Sequence, residues 1–152
     1  KIPKYQLQQK MFGVFQHTVR RHPSILLHGL DDTFNTPVSR HTENRVKDFA
    51  DFTNLEILIE SEVSGLCLIQ DIKRRHFHMF NHLEYDSDTL HNEYIRDLST
   101  GQDVDIPLNY YPDNDPNKDP INSWRGNGHL LFSNWVNFLY QTTPFLLEDI
   151  GK

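Results

Sequence analysis

The segment Phe80-Asn81-His82-Leu83-Glu84-Tyr85-Asp86 places an imidazole and a carboxylate two residues apart, after an apolar run and before a stretch with helical spacing. In extended backbone, residues i and i+2 point to the same side, so His82 and Glu84 can meet and face one cleft. A carboxylate beside a histidine holds the ring in one tautomer and stabilises its charged form, which makes an oriented general base. Such a base calls for a nucleophile, and a thiol is its usual companion. The one cysteine, Cys67, lies inside Gly65-Leu66-Cys67-Leu68-Ile69. That stretch reads as a buried strand, and Cys67 reads as a core residue. The chain therefore carries two parts of a three-part site. On spacing alone, the commoner arrangement is a surface histidine near a carboxylate that favours a helix start.

Arg96 is the next candidate. Its guanidinium fork could grip the carboxylate of an amino-acid substrate, although an exposed pairing with Glu93 one turn earlier is the plainer use. Arg40 could bind an acid group or a coenzyme phosphate. Nine histidines invite a metal, and His76 and His78 share a strand face near His82. Nothing supplies a recognisable further ligand for a zinc site, so no metal is expected. The run Asp113-Asn114-Asp115-Pro116-Asn117 starts like a calcium loop but has Lys118 and Trp124 where a Gly and a Glu are needed.

The elements that must position these residues follow a mixed α/β pattern. Met11 to Val19 reads as a strand, and His22 to His41, rich in Pro, Gly, Asp, Asn and Thr, as a surface loop. Glu43 to Phe52 suggests a short helix. Leu55, Ile57 and Ile59 alternate with polar residues as in a half-buried strand. Strands at Gly65 to Gln70 and His76 to Phe80 flank a polar turn, Asp71 to Arg75. A helix follows, capped by Asp86 or Ser87, with Leu90, Tyr94 and Leu98 as its inner stripe and Gly101 just past its end. After a long loop, Gln102 to Asn122, Leu130 to Tyr140 reads as a helix apolar almost all round. Such a helix belongs in a core or a dimer interface, and Pro144 stops it.

The 152 residues are enough for one domain, read as 1–152. The net charge of -6 disfavours nucleic acid or an anionic membrane as partner. A single cysteine suits a reducing compartment, no run is apolar and long enough to span a membrane, and the expected location is cytoplasmic.

The flanks of the His/Glu pair add a specific resemblance. They include Asp86-Ser87-Asp88-Thr89-Leu90, Glu93-Tyr94-Ile95-Arg96-Asp97, Ile106-Pro107-Leu108-Asn109-Tyr110-Tyr111-Pro112 and Ser123-Trp124-Arg125. Upstream stand Phe12-Gly13-Val14-Phe15, Gly29-Leu30-Asp31-Asp32-Thr33-Phe34 and Pro37-Val38-Ser39-Arg40. Together they resemble the homoserine O-acyltransferase family (succinyl- and acetyltransferases) of methionine biosynthesis, from about Ile2 to the end. The resemblance implies the C-terminal part of a class I glutamine-amidotransferase-like, flavodoxin-like α/β sandwich. It implies His82 as general base, Glu84 as its orienting partner, and Arg96, Lys10 and Ser39 as substrate contacts. It implies acyl transfer from acetyl- or succinyl-coenzyme A to homoserine through a cysteine thioester, with the nucleophile outside this chain, so that the chain alone is inactive. Acyl-coenzyme A is then a co-substrate, no resident cofactor is expected, and a homodimer is. Serine as acceptor, or an inactive paralogue acting as a binding module, remain alternatives. The chain departs from the family at Asn81, Leu83 and Val38, where Gly, Pro and His are usual.

Overall fold

The strand expected at Met11–Val19 is the inner part of a longer one, β1 (Tyr5–Val19), and four more follow: β2 (Thr33–Glu43), β3 (Leu55–Ser61), β4 (Gly65–Asp71) and β5 (His76–Met79). The structure, a computed structural model, describes residues 1–20, 23–71 and 73–149; His22 and Ile72 of the expected loop and turn lie outside these. The strands form one sheet in the order β2-β1-β3-β4-β5. Every strand ladder is antiparallel. The described residues therefore build a mixed α/β unit around an antiparallel sheet, and not the parallel sheet of a flavodoxin-like sandwich.

The sheet curls. Beyond β5, the Phe80 N–H donates to the Cys67 carbonyl at 2.8 Å and the His82 N–H to the Pro37 carbonyl at 2.9 Å. The chain leaving β5 thus crosses from β4 to the opposite edge strand, β2. That crossing fixes the backbone at His82.

The reading of 22–41 as a loop is corrected at its second half. Phe34, Thr36 and Val38 alternate inward and are buried, the period-two pattern of a strand. Pro37 obscured it, yet β2 is an edge strand, where a missing N–H is tolerated. The short helix expected at Glu43 to Phe52 is a single 3-10 turn, Val46–Phe49. It covers the second face of the sheet, where Phe49 packs with Ile57, Leu66 and Ile69. Leu58 on the other face is also fully buried, so β3 is covered on both sides rather than half-buried.

Helix α1 (Thr89–Ser99) starts at Asp88, not at Asp86 or Ser87, and no side chain caps its first turn. Its inner stripe also differs: Leu98 is exposed, whereas Leu90 and Asp97 are buried. The C-terminus is as expected. Gly101 has φ of +74°, its N–H donates to Leu98 O, and the Gln102 N–H reaches back to Asp97 O, the paired closure that favours glycine.

Helix α2 (Arg125–Thr142) is not buried all round. Gly128 and Leu131 face the core, Phe138 meets Phe77 edge-on at 5.1 Å, and Asn134 donates to Leu26 O and His28 O. Trp135, Val136, Leu139 and Tyr140 are exposed. No described helix is long and apolar enough to cross a membrane.

Candidate active site

His82 and Glu84 meet, but across a turn rather than on the extended backbone expected: Leu83 and Glu84 are turn residues, and the Tyr85 N–H donates to the His82 carbonyl at 3.3 Å. Nδ1 of His82 lies 2.7 Å from Oε1 of Glu84. A carboxylate can only accept, so in the neutral ring Nδ1 carries the proton and Nε2 keeps its lone pair free. The side chains are 31% and 52% exposed. The imidazole stacks on the Tyr85 ring, with centroids 4.2 Å apart and planes inclined by 17°.

Tyr85 leads to the other candidates. Its hydroxyl donates to Glu93 Oε1 at 2.5 Å, and the Ser39 hydroxyl donates to Glu93 Oε2 at 2.5 Å. Lys10 Nζ reaches Glu93 Oε2 at 3.4 Å and Asp97 Oδ2 at 2.8 Å, and it sits 3.8 Å above the Phe12 ring. Arg96 closes the chain of contacts, donating from Nε and Nη2 to Asp97 Oδ1 at 2.9 and 2.6 Å. The pairing of Arg96 with Glu93 expected from the helix is replaced by this one. The five residues to which the resemblance gives a role, His82, Glu84, Arg96, Lys10 and Ser39, thus join one network through Tyr85, Glu93 and Asp97.

Local structure explains how Lys10 arrives there. Between the pairs Gln6–Thr42 and Met11–Arg40, β1 spends more residues than β2. Such a bulge re-aims side chains, and Lys10 lies within it. Burial raises the carboxyl groups of Glu93 and Asp97. Ser39, Tyr85 and Lys10 at the first, and Lys10 and Arg96 at the second, pull both below their ordinary values. Burial and the neighbouring Glu93 keep the Tyr85 hydroxyl protonated. A groove of about 710 Å³, lined by Lys10, Phe12, His41, Asp103 and Asp105 among others, opens at the Lys10 end of the network. His82 does not line it, so the dyad and this groove do not form the one cleft expected.

Beneath His82 lies a second polar cluster. His17 is fully buried; its Nδ1 faces Phe15 O at 2.8 Å, and its Nε2 faces Asn81 Nδ2 at 2.7 Å and Ser64 Oγ at 3.1 Å. Arg40 donates to Asn81 Oδ1, to Leu66 O and to Ser64 O. Its guanidinium is spent inside the fold, which corrects its reading as an acid or phosphate binder. Cys67 is fully buried and its thiol is pushed up to about 12 by burial, against the pull of Asn81, Arg40 and Thr36. A thiol so protonated is no nucleophile at neutral pH.

The remaining polar candidates are ordinary. His76 and His78 meet edge-on at 6.2 Å, and among the described residues no three metal-ligating side chains converge. Asp113 pairs with Lys118, and Asp115 caps its own turn through Asn117. Glu93, Asp97 and Tyr85 were not singled out from the sequence, although one signal existed. Acidic residues at i and i+4 on one helix face repel unless a cation from elsewhere lies between them.

The family model described as homoserine O-succinyltransferase matches residues 1–145. A protein of Rhizobium leguminosarum bv. trifolii (strain WSM2304), called homoserine O-acetyltransferase, is 50% identical over 150 residues, 99% of this chain and 49% of its own length. One of Hyphomonas neptunium (strain ATCC 15444), with the same name, is 48% identical over 151 residues, 99% of this chain and 50% of its own. The chain thus spans about half the length of the curated relatives it matches. Among solved structures, that titled "Crystal structure of SMU.1228c" superposes with a TM-score of 0.61 at 12% identity, covering 90% of this chain and 55% of that one. At that identity the likeness concerns the fold alone.

Proposed function

The chain belongs to the homoserine O-succinyltransferase family, and from that premise we propose that the whole protein transfers an acyl group from acyl-coenzyme A to the hydroxyl of homoserine. The observation that carries this reading is the His82–Glu84 hydrogen bond, joined through Tyr85 to a cluster that holds Lys10, Ser39 and Arg96. A base and a set of groups suited to an amino-acid substrate are thus joined by one chain of contacts.

The reaction divides into two steps. A cysteine thiolate outside this chain attacks the acyl carbonyl, and coenzyme A leaves as its thiolate, which takes a proton from solvent to become the free thiol. Nε2 of His82 then takes the proton of the homoserine hydroxyl as the oxygen attacks the thioester, and the cysteine thiolate is released. Glu84 holds the ring in the tautomer that keeps Nε2 free and stabilises the imidazolium. Arg96 receives the α-carboxylate, with Lys10 and Ser39 beside it. The names of the relatives support acetyl-coenzyme A as donor, and the product is an intermediate on the way to methionine. The unit described here is the C-terminal part of a larger class I glutamine-amidotransferase-like domain in this reading. A second copy covers the exposed apolar side of α2.

The test uses the whole protein with acetyl- or succinyl-coenzyme A and either L-homoserine or L-serine, following release of free thiol. We expect turnover with the acetyl donor and homoserine. His82→Ala should lower kcat by about 10²- to 10⁴-fold, the span of general-base catalysis, with little change in the KM for homoserine. Turnover with serine alone would move the acceptor. An unchanged His82→Ala rate, or no turnover with either donor, would overturn the proposal.

A further inference from the structure

The geometry points to Tyr85 as the positioning residue of the His82 base, held by Glu93 so that the imidazole is fixed in plane as well as in tautomer. A single hydrogen bond from Nδ1 to Glu84 sets where one ring atom points. It leaves the ring free to swing about the line of that bond. A parallel ring 4.2 Å away, inclined by only 17°, removes this swing, because any rotation drives the imidazole edge into the tyrosine face. The two contacts act on different axes, and together they aim the Nε2 lone pair.

A stack can orient only if it is itself fixed, and Tyr85 is fixed at both ends. Its N–H donates to the His82 carbonyl and its own carbonyl accepts from Nε1 of the buried Trp124 at 2.8 Å. Its hydroxyl ends on Glu93 Oε1 at 2.5 Å. Glu93 cannot turn away, since its other oxygen is occupied by Ser39 and Lys10. Tyr85 thus ties the base to α1 and to the residues proposed to hold the acceptor. A tyrosine whose hydroxyl donates to a carboxylate also has an electron-rich ring, which suits the imidazolium formed during the reaction. Tyr85 touches no substrate atom in this account and acts only through His82.

The inference rests on the acyl-transfer reading, and two readouts separate its failure from the failure of that reading. The first is kinetic, on the whole protein. Tyr85→Phe keeps the stack but frees it from Glu93, and should lower kcat about tenfold with the KM for homoserine within about twofold; Tyr85→Leu, which removes the stack, should lower kcat about a hundredfold. Tyr85→Trp restores a flat face and should recover part of the loss seen with Leu. The second readout needs no turnover. Carbon NMR relaxation of histidine-labelled whole protein should show the Cε1–H bond of the His82 ring rigid in the original and mobile in Tyr85→Leu and, to a lesser degree, in Tyr85→Phe. If Tyr85→Leu does not fold, Tyr85→Phe carries both measurements. Should the enzyme prove not to use homoserine, the relaxation measurement still decides whether Tyr85 orients the ring. Unchanged ring order together with an unchanged kcat in Tyr85→Phe and Tyr85→Leu overturns the inference. So does a loss confined to thermal stability and KM.

Discussion

At Lys10 the local charge balance decides the structure. One ammonium, 10% exposed, faces Glu93 and Asp97, which are 14% and 3% exposed. Without it, two carboxylates one helical turn apart would share a nearly dry site. Removing one partner of a buried ion pair leaves an uncompensated charge; here Glu93 would keep only the Tyr85 and Ser39 hydroxyls, and Asp97 only the exposed Arg96. Lys10→Met fills the space over Phe12 but supplies no charge, and should destabilise the protein by about 3 kcal/mol or more, read as a lower urea midpoint. Lys10→Met combined with Asp97→Asn should recover part of this, because one of the stranded charges is gone. A Lys10→Met protein as stable as the original would show that the cluster is held by something else. The legibility of the site follows the same logic. His82 and Glu84 were readable as a pair because they stand only two residues apart, although the backbone that brings them together is a turn closed by the Tyr85 N–H on the His82 carbonyl and not the extended segment expected. Glu93 and Tyr85 were not, because their partners arrive from Lys10 and Ser39 on distant strands, and no local period encodes that meeting.

Among the elements, β3, β4 and β5 were visible as apolar runs bounded by turns. β2 was masked by its proline, whose effect depends on whether a strand lies at the edge of a sheet, a property of tertiary order. Helix α2 was visible as a helix, but its apolar surround suggested burial that the described residues do not provide. What α2 does provide is support for the dyad. A Cβ at Gly128 would lie 2.8 Å from the carbonyl oxygen of Leu83, the residue between His82 and Glu84. Gly128→Ala should therefore have opposed effects. The helix gains up to about 1 kcal/mol from the better helix former, but the close contact is with backbone, and relieving it costs about 1–3 kcal/mol. Unfolding measurements should show a net loss of up to about 2 kcal/mol. The carbonyl must move by a few tenths of an ångström, and the dyad with it, so kcat should fall about tenfold. Full activity in this variant would show that α2 merely packs behind the site.

On the scale of the whole molecule, the polar cluster around His17 joins β1, the turn before β4, β2 through Arg40, and the segment that carries His82. Burial pushes the His17 ring down to about 4; the Phe15 carbonyl opposes this and the charge of Arg40 adds to it. Its folded value lies below its ordinary value of 6.5. Folding therefore favours the neutral ring, and the unfolded chain binds more protons between these two values. The stabilisation is complete above about pH 6.5 and is lost as the pH falls toward 4. The full span is worth on the order of 3 kcal/mol, of which about 1 kcal/mol should disappear between pH 7.5 and 5.5. Other shifted groups fall outside that window. Asp71 is buried but is drawn down to about 2 by its bonds to Arg74 and Asn54, and Cys67 is near 12. Glu93 and Asp97 are held below the ordinary carboxylate range. Urea unfolding at pH 7.5 and 5.5 should show the loss in the unsubstituted protein and a smaller one in His17→Gln, which keeps a donor and an acceptor without a titrating ring. Protonating His17 also removes the acceptor that holds Asn81, the residue beside His82. At pH 5.5 the folded ring, at about 4, is still almost wholly neutral, so this loosening belongs to pH near 4, and kcat at pH 5.5 should fall equally in His17→Gln and in the original. Equal pH slopes for stability in the two proteins would mean that the buried ring is not the group that senses acid.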